Sequence, residues 1–234
     1  MKTDLEEVKK VAIQFLYIEP ERVGEFGDLF VTHPYINTAF LYLIEEKQMF
    51  NLFQDKDRFE KWKLEMKENI NRQKELFAIF MFITNPYKLT FFKYVNEYLS
   101  EEDFAKTLIN CYTQMEVIVD ETNVTQKELI KWFEKANKTY LMDKKERKIL
   151  EELPEKVTIY RGIRDEEYMK GFSWTLSKDK GIWFAKRFDT DNQILLETVI
   201  YKKDILCYTD ERDEKEVIIN PKKLNIDNIT KHFL

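Results

Sequence analysis

The chain has 234 residues, a hydrophobic fraction of 44% and a formal net charge of −5 at pH 7. That length fits one large domain or two small ones at roughly 150 residues each, and the apolar fraction is ample for a packed core. A mildly acidic balance gives no global attraction to nucleic acid or anionic lipid. The charged start MKTDLEEVKK reads as carrying no secretory leader, and no apolar run of about 18 residues occurs, so a cytoplasmic chain without nucleic-acid or membrane partners is expected.

Taken in order, the first element predicted is a helix over residues 4–18, where Leu5, Val8, Ala12, Phe15 and Leu16 recur at helical spacing. Residues 24–37, with Gly24, Gly27 and Pro34, read as loop. The five glycines are Gly24, Gly27, Gly162, Gly171 and Gly181, with none between Gly27 and Gly162. Glycine is costly inside helices and marks turns, so that long stretch reads as helical. Residues 57–82 keep the helical period, with 76–83 as buried helix, and Pro86 interrupts before 90–99 resumes. Ser100 with Asp103, and Thr125 with Glu128, predict capping boxes opening helices at 101–114 and 126–136. A short helix over 143–152 ends before Pro154.

The pattern then changes. Residues 157–160 are β-rich, Gly162, Gly171 and Gly181 follow closely, 180–188 is a short amphipathic helix, and 194–201, 205–208 and 217–219 read as strands. The expected architecture is α+β: a helical region over 1–153, then a compact mixed β-sheet over 154–234, with the boundary near Leu153. Cys111 and Cys207 are isolated in apolar surroundings and read as reduced core thiols. No CxxC or HExxH spacing occurs, and His33 and His232 lie at opposite ends of the chain, so no metal is expected. Phosphate-binding glycine loops of the GxxxxGK[ST] and GxGxxG kinds are absent as well.

Three short motifs in the second region carry the chemistry. Tyr160-Arg161-Gly162 ends an apolar strand with a planar cationic fork suited to pyrophosphate or carboxylate. Phe172-Ser173-Trp174-Thr175 sets two hydroxyls two residues apart, hence on one strand face, with Trp174 turned outward. Glu214-Lys215-Glu216 opens an apolar run; at strand spacing both carboxylates face one way and need a cation or a function to offset their repulsion. Singly, each has a plainer reading: a structural salt bridge, a hydroxyl-bearing strand and a solvated strand edge.

Together and in this order, they resemble the Arg-Ser-Glu class of mono-ADP-ribosyltransferases, which includes clostridial exoenzyme-like toxins, vertebrate ecto-enzymes and phage-encoded transferases. The resemblance covers residues 157–221; the family's Ser-Thr-Ser reads Ser173-Trp174-Thr175 here. The whole chain is also similar to phage or prophage proteins, which implies the host bacterial cytoplasm. The resemblance implies a transferase (glycosyltransferase) that consumes NAD⁺ as substrate, cleaves its nicotinamide–ribose bond and passes ADP-ribose to a host protein. Glu216 would be the catalytic carboxylate and Glu214 would position the acceptor, with Glu at that place implying arginine. Arg161, Gly162, Ser173 and Thr175 would bind the dinucleotide. Trp174, Trp183, Phe184 and Phe188 offer walls for nicotinamide, with core packing the plainer role for Phe184 and Phe188. The helical region, rich in aromatics, would pack on the core and recognise a target or partner. Two alternatives stay open: an inactive transferase-fold binding protein, such as a phage inhibitor of host defence, or an NAD⁺ glycohydrolase.

Overall fold

A computed structural model of the chain describes residues 2–26, 28–114, 123–187 and 192–234. The chain divides into two compact units, Met1–Leu129 and Ile130–Leu234.

In the first unit, helix α1 (Leu5–Leu16) buries Val8, Ala12, Phe15 and Leu16, the stripe that its spacing predicts, and Asp4 caps its start by accepting from the Glu7 amide. It lies against α2 (Lys56–Arg72) and α4 (Lys88–Val95), where Phe15 meets Phe91 edge to face, ring centroids 5.3 Å apart. A short α3 (Leu76–Phe80) leaves Phe77 and Met81 exposed, so residues 76–83 are buried only in part. Ser100 caps α5 (Glu101–Thr113) by accepting from the Asp103 amide.

Two stretches of this unit depart from the sequence reading. Residues 24–37 are not all loop: β1 (Glu21–Arg22) pairs with β2 (Val31–Thr32) around a turn of 3₁₀ helix. Residues 40–51, expected to be helical, form an antiparallel hairpin of β3 (Phe40–Leu43) and β4 (Gln48–Asn51). Its burial alternates with period two: Leu41, Leu43 and Phe50 are covered, Phe40, Tyr42 and Met49 are exposed. The turn uses Lys47 at φ 52°, so the hairpin forms without the glycine that would have marked it.

The second unit begins within α6 (Gln126–Lys135), whose start carries the reciprocal Thr125–Glu128 capping bonds. Helices α7 (Lys138–Leu141) and α8 (Lys144–Glu152) follow, α8 with a complete capping box of Asp143 and Glu146. The division therefore falls before these helices rather than near Leu153, because α8 packs against the sheet that follows. That sheet has the order β10-β7-β5-β6-β9-β8, from β5 (Lys156–Ile163), β6 (Ser173–Thr175), β7 (Ile194–Tyr201), β8 (Ile205–Thr209), β9 (Glu216–Ile219) and β10 (Thr230–Phe233). Every pairing is antiparallel, so the mixed sheet expected from the sequence is not what forms among the described residues. The edge strand β10, with two exposed ends and no apolar run, gave no signal in the sequence.

The sheet is two three-stranded halves. β5 pairs with β7 over eight residues, but with β6 through one rung, Tyr160 opposite Thr175. Helix α9 (Lys178–Lys186) crosses β5 where both backbones carry glycine. A Cβ on Gly162 would lie 2.1 Å from the Ala185 amide and 2.4 Å from the Gly181 carbonyl; one on Gly181 would lie 2.9 Å from the Tyr160 Cβ. Only paired glycines allow so close an approach.

Candidate active site

The register sets out the site. Tyr160, Thr175, Glu216 and Thr209 are successive cross-strand partners, so they share one sheet face. Ser173 lies two residues before Thr175 on β6 and so shares that face, diagonal to Glu216. The Ser173 hydroxyl lies near the Glu216 carboxylate and favours its ionised form.

Arg161 starts from the opposite side, one residue beyond Tyr160. It reaches back because β5 and β6 part after their single rung. Its guanidinium lies against Gly171, where a Cβ would sit 2.2 Å from Cζ. Nη1 donates to the Ser173 carbonyl, and Nε donates to the Tyr168 carbonyl at 3.2 Å. Ser173 is thus the meeting point, its carbonyl held by Arg161 and its hydroxyl near Glu216.

Glu216 is 3% exposed. Burial pushes its pKa above the ordinary carboxylate value; the nearby Ser173 hydroxyl and the Arg212 charge pull against that, Glu214 adds to it, and Arg161 pulls it down least.

Glu214 does not reach this cluster by strand alternation. β9 begins at Glu216, and Asp213 and Lys215 take left-handed φ values of 56° and 49°. The expectation of two carboxylates side by side on one strand is therefore corrected; a turn brings them together. The cation their repulsion calls for is Arg212, whose Nη2 lies 2.8 Å from Glu214 Oε2 and 3.7 Å from Glu216 Oε2. The sequence reading missed this residue, because its run of charges reads as a solvated turn. The loop carrying it is tied down on three sides. Buried Thr175 donates its hydroxyl to the Glu214 carbonyl at 2.7 Å. Lys180 of α9 pairs with Asp213 at 3.0 Å. The Asp210 amide donates to Glu146 of α8 at 3.1 Å, and its carboxylate accepts from the Lys215 amide at 3.0 Å. Left-handed non-glycine residues cost about 1 kcal/mol or more each and gather at functional loops.

Arg161, Ser173, Thr175, Glu214 and Glu216 are thus brought into one connected cluster. The aromatic residues singled out in the sequence are not. Trp174 is 2% exposed and points to the opposite face, its indole donating to the Gly171 carbonyl at 3.0 Å. It turns away from Ser173 as alternation requires, but into the core rather than outward, so it does not wall an open cleft. Trp183 is 54% exposed, two residues from both Gly181 and Ala185, on the side of α9 turned from β5. Phe184 is half-buried, and Phe188 lies outside the described residues. Gly162 serves the α9 crossing on the side where a Cβ would project. Half-buried Tyr160 is the aromatic that shares a row with Thr175 and Glu216.

Both cysteines are buried and free. Among the described residues no group of three or more His, Cys, Asp or Glu is placed to hold a metal, and no helix is long and apolar enough to cross a membrane. Comparison with protein-family models, curated proteins and solved structures returned no match.

Proposed function

We propose that the second unit is an NAD⁺-consuming mono-ADP-ribosyltransferase acting on a protein arginine. The observation that carries this reading is the buried Glu216 carboxylate on the sheet face of Ser173 and Thr175, beside an Arg161 guanidinium that binds the Ser173 carbonyl where β5 and β6 part. Cleaving the nicotinamide–ribose bond develops positive charge on the ribose. A buried carboxylate shielded from water is suited to stabilise that charge, since it acts in a low dielectric. Arg161, at the mouth of the gap, has the planar fork to grip the pyrophosphate or the adjoining ribose. Glu214, held by Thr175, would orient the incoming guanidinium and take its proton. Tyr160 replaces the tryptophans as the aromatic best placed for the nicotinamide. In this reading the dinucleotide is a substrate and no metal takes part. The first unit would supply recognition of the acceptor, in the cytoplasm of a bacterial host if the chain is phage-encoded.

The glycohydrolase and inactive-binder readings share the same donor geometry. Incubating the full chain with NAD⁺, with and without agmatine as an arginine-like acceptor, separates all three. The transferase reading expects nicotinamide release that rises with agmatine and is accompanied by ADP-ribosyl-agmatine. Release without transfer to agmatine or protein would indicate a hydrolase, and no release from folded protein would leave a binding module.

A further inference from the structure

Arg212 occupies the place that an acceptor arginine has to take. One of its guanidinium nitrogens lies 2.8 Å from the carboxylate assigned to the acceptor and 3.7 Å from the carboxylate assigned to the ribose. This is not a chance encounter of a loose side chain. The loop that carries Arg212 is fixed by Thr175, Lys180 and Glu146, and the left-handed turns at Asp213 and Lys215 fold it so that Arg212 and Glu214 face each other. The guanidinium is nevertheless half-exposed, so it is not locked in the interior.

We propose that Arg212 is an internal acceptor, modified with ADP-ribose by the site it sits in. The proposal rests on the reading of that site as an NAD⁺-consuming transferase. A guanidinium nitrogen of Arg212 forms a bond to C1′ of the nicotinamide-bearing ribose. The C1′–N bond to nicotinamide breaks, its electron pair returning to the pyridine ring, which leaves as neutral nicotinamide. The guanidinium gives up one proton to Glu214 and thence to solvent. Holding nucleophile and carboxylates in one loop makes the reaction intramolecular, where proximity replaces a second-order encounter. The consequence is regulatory: an ADP-ribose on Arg212 leaves the guanidinium charged but fills the acceptor position with the attached nucleotide, so that self-modification closes the site to other arginines.

The test is intact-mass and fragment-ion analysis of the full chain after incubation with NAD⁺, alongside measurement of released nicotinamide. The expected result is one ADP-ribose increment, mapped to Arg212, formed at a first-order rate that does not change on dilution of the protein. Arg212→Ala is expected to lose that increment and to transfer more ADP-ribose to agmatine than the wild type. Nicotinamide release with no increment at Arg212, or with the increment on another residue, would overturn the proposal while leaving the transferase reading in place. An increment at Arg212 whose rate rises with protein concentration would show transfer between molecules and would overturn the internal route. Absence of both nicotinamide and increment would remove the transferase reading itself.

Discussion

Burial raises the pKa of Glu216, and the groups around it only partly resist that shift. A carboxylate so placed opposes folding at any pH where it is ionised, because the unfolded chain solvates it freely. Glu216→Gln keeps the shape and removes the charge. Its thermal midpoint is expected to lie above that of the wild type at pH 7, since Arg212, its cationic neighbour, is half-exposed and loses little. A midpoint well below the wild type would mean that the carboxylate is held for stability rather than for chemistry. Ser173 and Thr175 were legible in the sequence as hydroxyls at strand spacing, and Glu216 as the residue opening an apolar strand, although its pairing with Glu214 is made by a turn rather than by alternation. Arg212 was not, since its partners are reached through a turn with two left-handed residues that are not glycine. Trp174 shows the converse: alternation gave its direction away from Ser173, but not that the opposite face is covered.

At the scale of elements, the glycines divide into two mechanical kinds. Gly162 meets the backbone of α9, which cannot yield, whereas Gly171 meets the far end of the Arg161 side chain, which can. Gly162→Ala is expected to cost on the order of 1–3 kcal/mol or more of stability, as overpacking against backbone does. Gly171→Ala is expected to fold with nearly unchanged stability but to displace the Arg161 guanidinium from the Ser173 carbonyl, weakening NAD⁺ binding. Denaturant titration together with calorimetric titration of NAD⁺ reads both effects; equal stability losses in the two variants would contradict the assignment. Strands β5, β7, β8 and β9 were legible from β-branched runs bounded by glycine and charge, and β6 only from the spacing of its two hydroxyls. The hairpin β3–β4 was not, because Lys47 makes its turn and its aromatics imitate a helical core. Strand β10 has too few apolar residues to show a period.

At the scale of the whole molecule, acid acts on the two units with opposite signs. His33, in the first unit, is 1% exposed, its Nδ1 accepting from the Tyr35 amide. Burial, only partly opposed by the nearby backbone of Leu16 and Ile18 and slightly aided by the Lys63 charge, lowers its pKa from 6.5 to about 4. The unfolded chain therefore binds a proton at His33 between pH 6.5 and about 4 that the folded unit refuses, and stability falls as pH drops through that window. The fall across the whole window amounts to about 3 kcal/mol at most. Glu216, in the second unit, behaves in reverse: its folded pKa is raised above 4.5, so the strain of its charge is relieved as pH falls. Glu46 and Glu128, whose carboxyls are held below the usual value by hydrogen bonds and by cations, lose their contribution only at the acid end of the range. Amide exchange corrected for its intrinsic pH dependence is expected to show protection falling between pH 6.5 and about 4 in the first unit and not around Glu216. His33→Asn, which retains an acceptor for Tyr35, is expected to flatten that fall, and an unchanged slope would remove His33 as its cause. The α+β class was legible from the glycine distribution. The division at Leu129 was not, because α7 and α8 carry helical patterns like those before them and join the sheet through contacts that no local pattern records.

Central to the proposed function is Glu216 as the group that acts on the nicotinamide–ribose bond, and nicotinamide release is its most direct measure. Full-length wild-type protein and Glu216→Gln, both shown to be folded, are incubated with NAD⁺ and the free nicotinamide is quantified. Release by the wild type, with a loss on the order of 10²–10³-fold in the variant, is expected when a preorganised charge is removed from a transition state. No release by the wild type, or equal release by both proteins, would contradict it.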